Sequence, residues 1–223
     1  MDAKWARVWF AATAACVVAG VTIGLVLSWR NQVVTVAGTG EQLGRFGGSP
    51  LNQALNNFAF FTIQSNLIVG GTCLLLAINP NRTSTVFGVF RLTGLVAITV
   101  TGIVFHVALG GLLDLDSWAL ASDKLVHTVV PIMAVVGWLA FGPRGLTSAA
   151  IARLTVVYPL GYMIFTMIRG PLATNWYPYP FADVHALGYL RVIINGAWIG
   201  LLFVAIAAGA TFVDKRLRTG RIE

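Results

Sequence analysis

Two short groups of residues carry the chemistry this chain can offer. Thr62, Ser65 and Asn66 stand at i, i+3 and i+4, which puts three polar side chains on one helix face of an otherwise apolar segment. Asp123 and His127 stand four residues apart, again on one face. A threonine hydroxyl is a weak nucleophile at neutral pH and needs a base within hydrogen-bond reach. An imidazole whose tautomer is fixed by a carboxylate is such a base. One reading is therefore acyl transfer, with Thr62 as nucleophile, His127 as general base and Asp123 as its orienter. A structural reading stands beside it at each position. Thr and Ser in membrane helices often bond back to the carbonyl four residues earlier, and Asn often ties helices together. Asp123, alone or with Ser122, can cap a helix.

Other polar residues offer less specific chemistry. His106 is a further polar candidate, better explained as a packed, hydrogen-bonded histidine. His185 falls in a loop. Three histidines at one depth, His106, His127 and His185, raise a zinc-dependent lipid hydrolase or amidase as a rival, although no close-spaced pair such as H-x-x-x-H is present. A non-enzymatic lipid-binding or transport protein is a second rival, as is a haem carrier using His106 and His127. Arg191 either snorkels to lipid phosphate or, like Lys124, holds a substrate carboxylate. Gln64 lies about 200° from Thr62 around an α-helix and faces elsewhere. Asn66 or freed backbone amides are the candidate oxyanion donors. Cys16 and Cys73 make no metal motif.

The elements that position these residues follow from composition. Of 223 residues, 57% are hydrophobic and only 10% charged, against about 25% charged in a soluble domain. The expected fold is all-α, a polytopic membrane bundle forming one transmembrane domain over residues 1–223. Six apolar blocks are long enough to cross ~30 Å of hydrocarbon: 8–28, 58–78, 88–113, 124–141, 151–168 and 187–213. The first block is longer than a signal-peptide core of about 7–15 residues and reads as a retained span. Pro131, four residues after His127, has no N–H for that carbonyl and is expected to kink its helix. Gly38–Gly44 is glycine-rich without the spacing of a dinucleotide fingerprint, and reads as a loop.

The net charge of +7 is explained by orientation rather than by nucleic-acid binding. Lys4, Arg7, Arg82, Arg91, Arg144, Arg153, Lys215, Arg216, Arg218 and Arg221 fall on one side of the spans. Arg30, Arg45, Lys124, Arg169 and Arg191 fall on the other. The positive-inside rule then places both termini in the cytoplasm. Short loops point to a bacterial cytoplasmic (inner) membrane. Thr62 and His127 are each expected about one turn below the outer surface, with His106 about two turns from it. The site would face the outer side. Ionisable groups are nearly missing from the bilayer's middle, where ion-coupled transporters keep theirs. Aromatics of the loop 170–186, including Trp176 and Tyr179, suit a membrane interface.

Several stretches in this order resemble a known family. They are Phe60-Phe61-Thr62-Ile63-Gln64-Ser65-Asn66-Leu67, His127-Thr128-Val129-Val130-Pro131, Gly161-Tyr162, and Trp176-Tyr177-Pro178-Tyr179-Pro180-Phe181 followed by Arg191. Together they are similar to the androgen-induced and androgen-dependent-TFPI-regulating membrane proteins and their bacterial relatives, over all but the first span and the tail. The resemblance implies a six-span hydrolase of lipid esters, without a cofactor, among them fatty acid esters of hydroxy fatty acids. It implies Thr62 as the intramembrane nucleophile and His127 as the histidine. Trp176 and Tyr179, with Arg191 and Lys124, are then expected beside the substrate. His106 has no match in the animal pattern, and the loop after Phe181 differs by about a residue, at Asp183 and His185.

Overall fold

The computed structural model describes residues 3–30, 35–36, 49–173 and 175–219, nearly all of them helical. Six stretches are long and apolar enough to cross a membrane: Ala3–Trp29, Phe61–Ile78, Thr85–Leu109, Ser117–Phe141, Ala149–Leu172 and Val184–Arg218. The chain is thus an all-α, multi-pass integral membrane protein. Its elements are α1 (Ala3–Trp29), α2 (Pro50–Asn56), α3 (Phe61–Ile78), α4 (Thr85–Val104), α5 (Ser117–Lys124), α6 (Val130–Phe141), α7 (Ala149–Thr155), α8 (Val157–Leu172) and α9 (Val184–Thr219). Two-residue strands, Thr35–Val36 and Leu113–Asp114, pair antiparallel. The glycine-rich stretch 38–44, Arg45 and Arg221 lie outside the described residues.

Most boundaries shift by a few residues from those read in the sequence, and three of the shifts have a clear local cause. The second span starts at Phe61 rather than Phe58, because Asn57–Ala59 forms a 3-10 turn and Phe60 is extended (φ −77°, ψ 131°). The third ends at Leu109, before a turn at Gly110–Leu112 leads into the short strand. The fourth begins at Ser117 instead of Lys124. Asp116 caps it, accepting from the N–H groups of Trp118 and Ala119 at 3.1 and 2.8 Å. Neither Asp123 nor Ser122 caps this helix: the Ser122 hydroxyl donates to the Gly20 carbonyl at 2.8 Å.

α4 is apolar around its whole circumference and lies at the centre of the bundle. Its side chains enter both main cores, one with α1, α3 and α6 around Phe10, Val69 and Ile98, the other with α6 and α9 around Val96, Trp138 and Phe203. α1 runs along α3 and also packs against α5 and the turn that follows it. Arg91, counted among the basic residues of one side of the spans, lies buried within α4. Its guanidinium sits 5.2 Å from the Phe10 ring centroid and donates to Cys73 Sγ at 3.4 Å. Arg7 donates to the Ile78 carbonyl at 2.6 Å, and Asp214 accepts from the Gly145 N–H and the Thr147 hydroxyl at 2.9 and 2.8 Å. Those contacts gather the start of α1, the end of α3, the α6–α7 link and the end of α9 at one end of the bundle. The start of α3 lies at the other.

Both α4 and α5 finish in a widened π-helical turn, Phe105–Leu109 and Leu125–Val129. Pro131 lacks the N–H that would bond the His127 carbonyl, and the π turn ends just before it. The two turns lie side by side. A Cβ at Gly102 would stand 3.1 Å from the Pro131 Cβ, so a larger residue here would push α4 and α6 apart by a few tenths of an ångström.

Candidate active site at the start of the second span

Thr62 is the second residue of α3 and is 6% exposed. The side chain does not take the common back-bond to the carbonyl four residues earlier. Its Oγ1 lies 3.2 Å from His127 Nε2 and 3.2 Å from the Tyr179 hydroxyl. His127 Nδ1 lies 2.9 Å from Asp123 Oδ1. The Thr62 N–H donates to the Tyr179 oxygen at 3.1 Å. With Asp123 ionised, one proton arrangement satisfies every contact. The imidazole Nδ1–H donates to the carboxylate, Thr62 Oγ1–H donates to Nε2, and Tyr179 O–H donates to Thr62 Oγ1. Hydroxyl, imidazole and carboxylate thus form a line with the geometry of a nucleophile, its base and the base's orienter.

The widened turn carries His127, and with it Val126, which packs against α1, and Thr128. It sits about 15 Å along the helix from Ser117, deeper into its span than the single turn read from the sequence. The imidazole stacks on the Phe105 ring of the neighbouring π turn, at 4.0 Å between centroids and 7° between planes. That stack fixes the ring plane, as Asp123 fixes its tautomer. Phe105 carries no polar signal, and nothing in its sequence context marked it.

Ser65 and Asn66 are fully buried and hold the helix end in place. Ser65 Oγ donates to the Thr62 carbonyl at 2.9 Å and lies 3.0 Å from Thr101 Oγ1 on α4. Asn66 Nδ2 donates to the carbonyls of Thr62 and Val126 at 2.8 and 3.1 Å. Both amide hydrogens are spent on backbone, so Asn66 is not an oxyanion donor; it ties α3 to the turn that bears His127. Asn66→Leu is expected to cost about 1 kcal/mol, read as a lower unfolding midpoint in detergent.

Tyr179 reaches Thr62 because the loop between α8 and α9 folds inward. Gly170 leaves room for the Tyr177 ring directly against the α8 backbone, where any Cβ would collide. Tyr179 stacks on Phe181 and meets Phe60 edge-on, with centroids 5.0 and 5.6 Å apart. Burial pushes its phenol above the ordinary tyrosine range, partly offset by the bonds from Thr62. It stays protonated and able to donate. The aromatic loop, read as an interface anchor, therefore supplies a side chain that touches Thr62.

The remaining candidates divide. Trp176 packs on Phe60 at 5.7 Å and under the Arg169 guanidinium, which supports the α3 start without lining either cavity beside the site. Gln64 faces away, donating to the Phe58 carbonyl at 2.8 Å and accepting from Tyr158 at 3.3 Å. Arg191 is exposed and lines neither cavity, because its position on α9 faces outward. Lys124 and Asp123 line a polar hollow together with His106 and Asp114. His106 is exposed rather than packed, 3.2 Å from Thr128 Oγ1. Asp183 accepts from the Ala186 N–H at 2.9 Å, a cap for α9, and His185 is exposed. The three histidines do not converge: among the described residues no group of three His, Cys, Asp or Glu side chains is placed to hold a metal ion.

A second, apolar cavity of about 350 Å³ is lined by Thr62 and by residues of α4, α8 and α9. Phe105 and Leu109 border both spaces, so the Thr62 region has a greasy side and a polar side. Comparison of the chain with protein-family models, with curated proteins and with solved structures finds no match, so its function is read from this geometry.

Proposed function

We propose that the chain is an intramembrane lipid ester hydrolase with a threonine nucleophile, working near the outer face of what the short loops suggest is a bacterial inner membrane. One observation carries the reading: the Thr62 hydroxyl, His127 imidazole and Asp123 carboxylate stand in line at 3.2 and 2.9 Å, with Thr62 lining an apolar cavity. Thr62 Oγ1 attacks the ester carbonyl carbon while its proton passes to His127 Nε2. The tetrahedral intermediate collapses, the C–O bond to the alcohol breaks, and Nε2 returns the proton to the leaving oxygen. Water then attacks the acyl-threonine, His127 takes its proton, and Thr62 leaves with that proton restored.

The oxyanion needs donors already in place. Thr62 lies in the first turn of α3, where backbone N–H groups have no helical partner and the dipole favours negative charge. The Thr62 N–H, held on Tyr179 in the resting protein, and the Tyr179 hydroxyl are the two nearest. Tyr179→Phe is expected to lower kcat about 10²-fold with little change in KM, measured on a purified lipid esterase assay. A metal chelator should leave the rate unchanged; loss of activity restored by zinc would favour the metal-dependent rival.

The reading is tested by a panel of lipid esters, including fatty acid esters of hydroxy fatty acids, assayed with wild type and Thr62→Ala in detergent or nanodiscs. Hydrolysis by the wild type alone supports it. Equal hydrolysis by both would defeat it.

A further inference from the structure

The apolar cavity has a shape that selects among esters. Thr62 and Tyr179 line it, with Phe181 and Ala182. Its wall follows α9 from Val192 to Phe203. That is eleven residues, or about 16 Å at 1.5 Å per residue. The lining contains no charged side chain. Phe203 on α9 and Val100 on α4 are buried side chains of its wall. α9 presents the small residues Ala197 and Gly200 along this wall, while at Gly196 the Met163 side chain takes the room a Cβ would need. A Cβ at Gly200 would meet nothing within 4 Å.

The cavity also opens sideways. Leu160 on α8 and Ile193 on α9 line it, yet are 60% and 51% exposed on the bundle's outer surface. The slot between α8 and α9 faces the region a bilayer's acyl chains would occupy. The polar hollow lies on the other side of Phe105 and Leu109.

We propose that this cavity holds the acyl chain of the ester, admitted from the lipid through the slot between α8 and α9, and that Gly200 and Phe203 set the chain length accepted. The proposal rests on the hydrolase reading above. An extended alkyl chain with ~1.5 Å bonds and ~111° angles advances about 1.25 Å per carbon. The whole run of about 16 Å takes roughly a dozen carbons, which is the upper limit for a chain reaching from Thr62. The substrate class is an ester of a medium-length saturated acid, its carbonyl at Thr62 and its alcohol portion directed to the polar hollow. Burial of successive methylenes favours chains that fill the cavity, and a filled cavity rejects them.

The test uses the full-length protein in nanodiscs and a series of p-nitrophenyl esters from butyrate through laurate to palmitate. Wild type is expected to prefer laurate or its near neighbours. Gly200→Phe places a ring in the cavity and should lower the laurate-to-butyrate ratio of kcat/KM at least tenfold. Leu201→Phe, on the lipid-facing side of the same helix, should leave that ratio alone. Equal ratios in the two variants, with Thr62-dependent hydrolysis intact, overturn the acyl assignment and spare the hydrolase reading. Hydrolysis of no ester beyond Thr62→Ala defeats that reading instead. A second measurement needs no variant at this position. A dodecyl phosphonate carrying a terminal diazirine, bound to wild type and irradiated, should mark peptides containing Val156–Leu160 or Ile199–Phe203. Adducts confined to α1 or to the polar hollow overturn the proposal.

Discussion

Thr62→Ala is expected to remove ester hydrolysis by a factor on the order of 10⁴ or more, with the protein still folded. In the proposed reaction the hydroxyl is the atom that becomes acylated, and among the described residues no other side chain stands where it could take that part. Ser65 Oγ, one turn along, is committed to the Thr62 carbonyl and to Thr101. The same substitution should erase labelling by a fluorophosphonate probe, and mass spectrometry of the wild type should place the adduct on Thr62. Thr62→Ser keeps the hydroxyl and should keep both labelling and turnover. Removal of the methyl frees the side-chain torsion, so a moderate loss is expected. An active alanine variant that still takes the probe would transfer the chemistry to another residue.

Asp123→Asn should be the more informative loss, about 10³–10⁴-fold in kcat. Asparagine fills the same space but can present an N–H to His127 Nδ1. The imidazole then carries its proton on Nε2, facing Thr62, and cannot accept the hydroxyl proton. Geometry survives while the tautomer is wrong. The expected signature is normal expression, an unchanged unfolding midpoint and weak labelling of Thr62. His127→Ala should match Thr62→Ala in rate, since the base and the nucleophile act as a unit. A full-rate Asp123→Asn enzyme would show that the carboxylate is a structural contact and that something else orients the ring.

The bundle was legible in the sequence because lipid imposes a simple rule. Backbone polar groups must be satisfied within each span, so apolar blocks of sufficient length become helices. The six blocks and the six observed helices agree. The pairing of Thr62 with His127 was also within reach, because few polar side chains occur in these spans and a resemblance named the same two. What the sequence hid has local physical causes. Ser117–Lys124 is too polar to register as part of a span, yet Asp116 caps it into the helix and sets His127 deeper. Phe105 reads as ordinary packing; only the meeting of two π turns turns it into a platform for the imidazole. Tyr179 was expected beside the substrate and at the interface, but its bond to Thr62 depends on an inward path made possible by Gly170 in the last turn of α8. Arg191 belonged to the resembling pattern, and its helix turns it outward.

α1 contributes no reacting group, yet it is the common gauge for the two that matter. Thr62 rides on α3 and His127 on the turn after α5. Those two elements touch each other slightly, while each lies against α1. Val17 of α1 faces Gly70 of α3, and Gly20, one turn further, faces Val126 beside His127. A slide of α1 along its axis by a single residue is about 1.5 Å, half the length of the hydrogen bond between hydroxyl and imidazole. The spacing of the proposed nucleophile and base is thereby written into the helix farthest from suspicion, where a substitution at Gly20 would shift the two apart without altering any of their atoms.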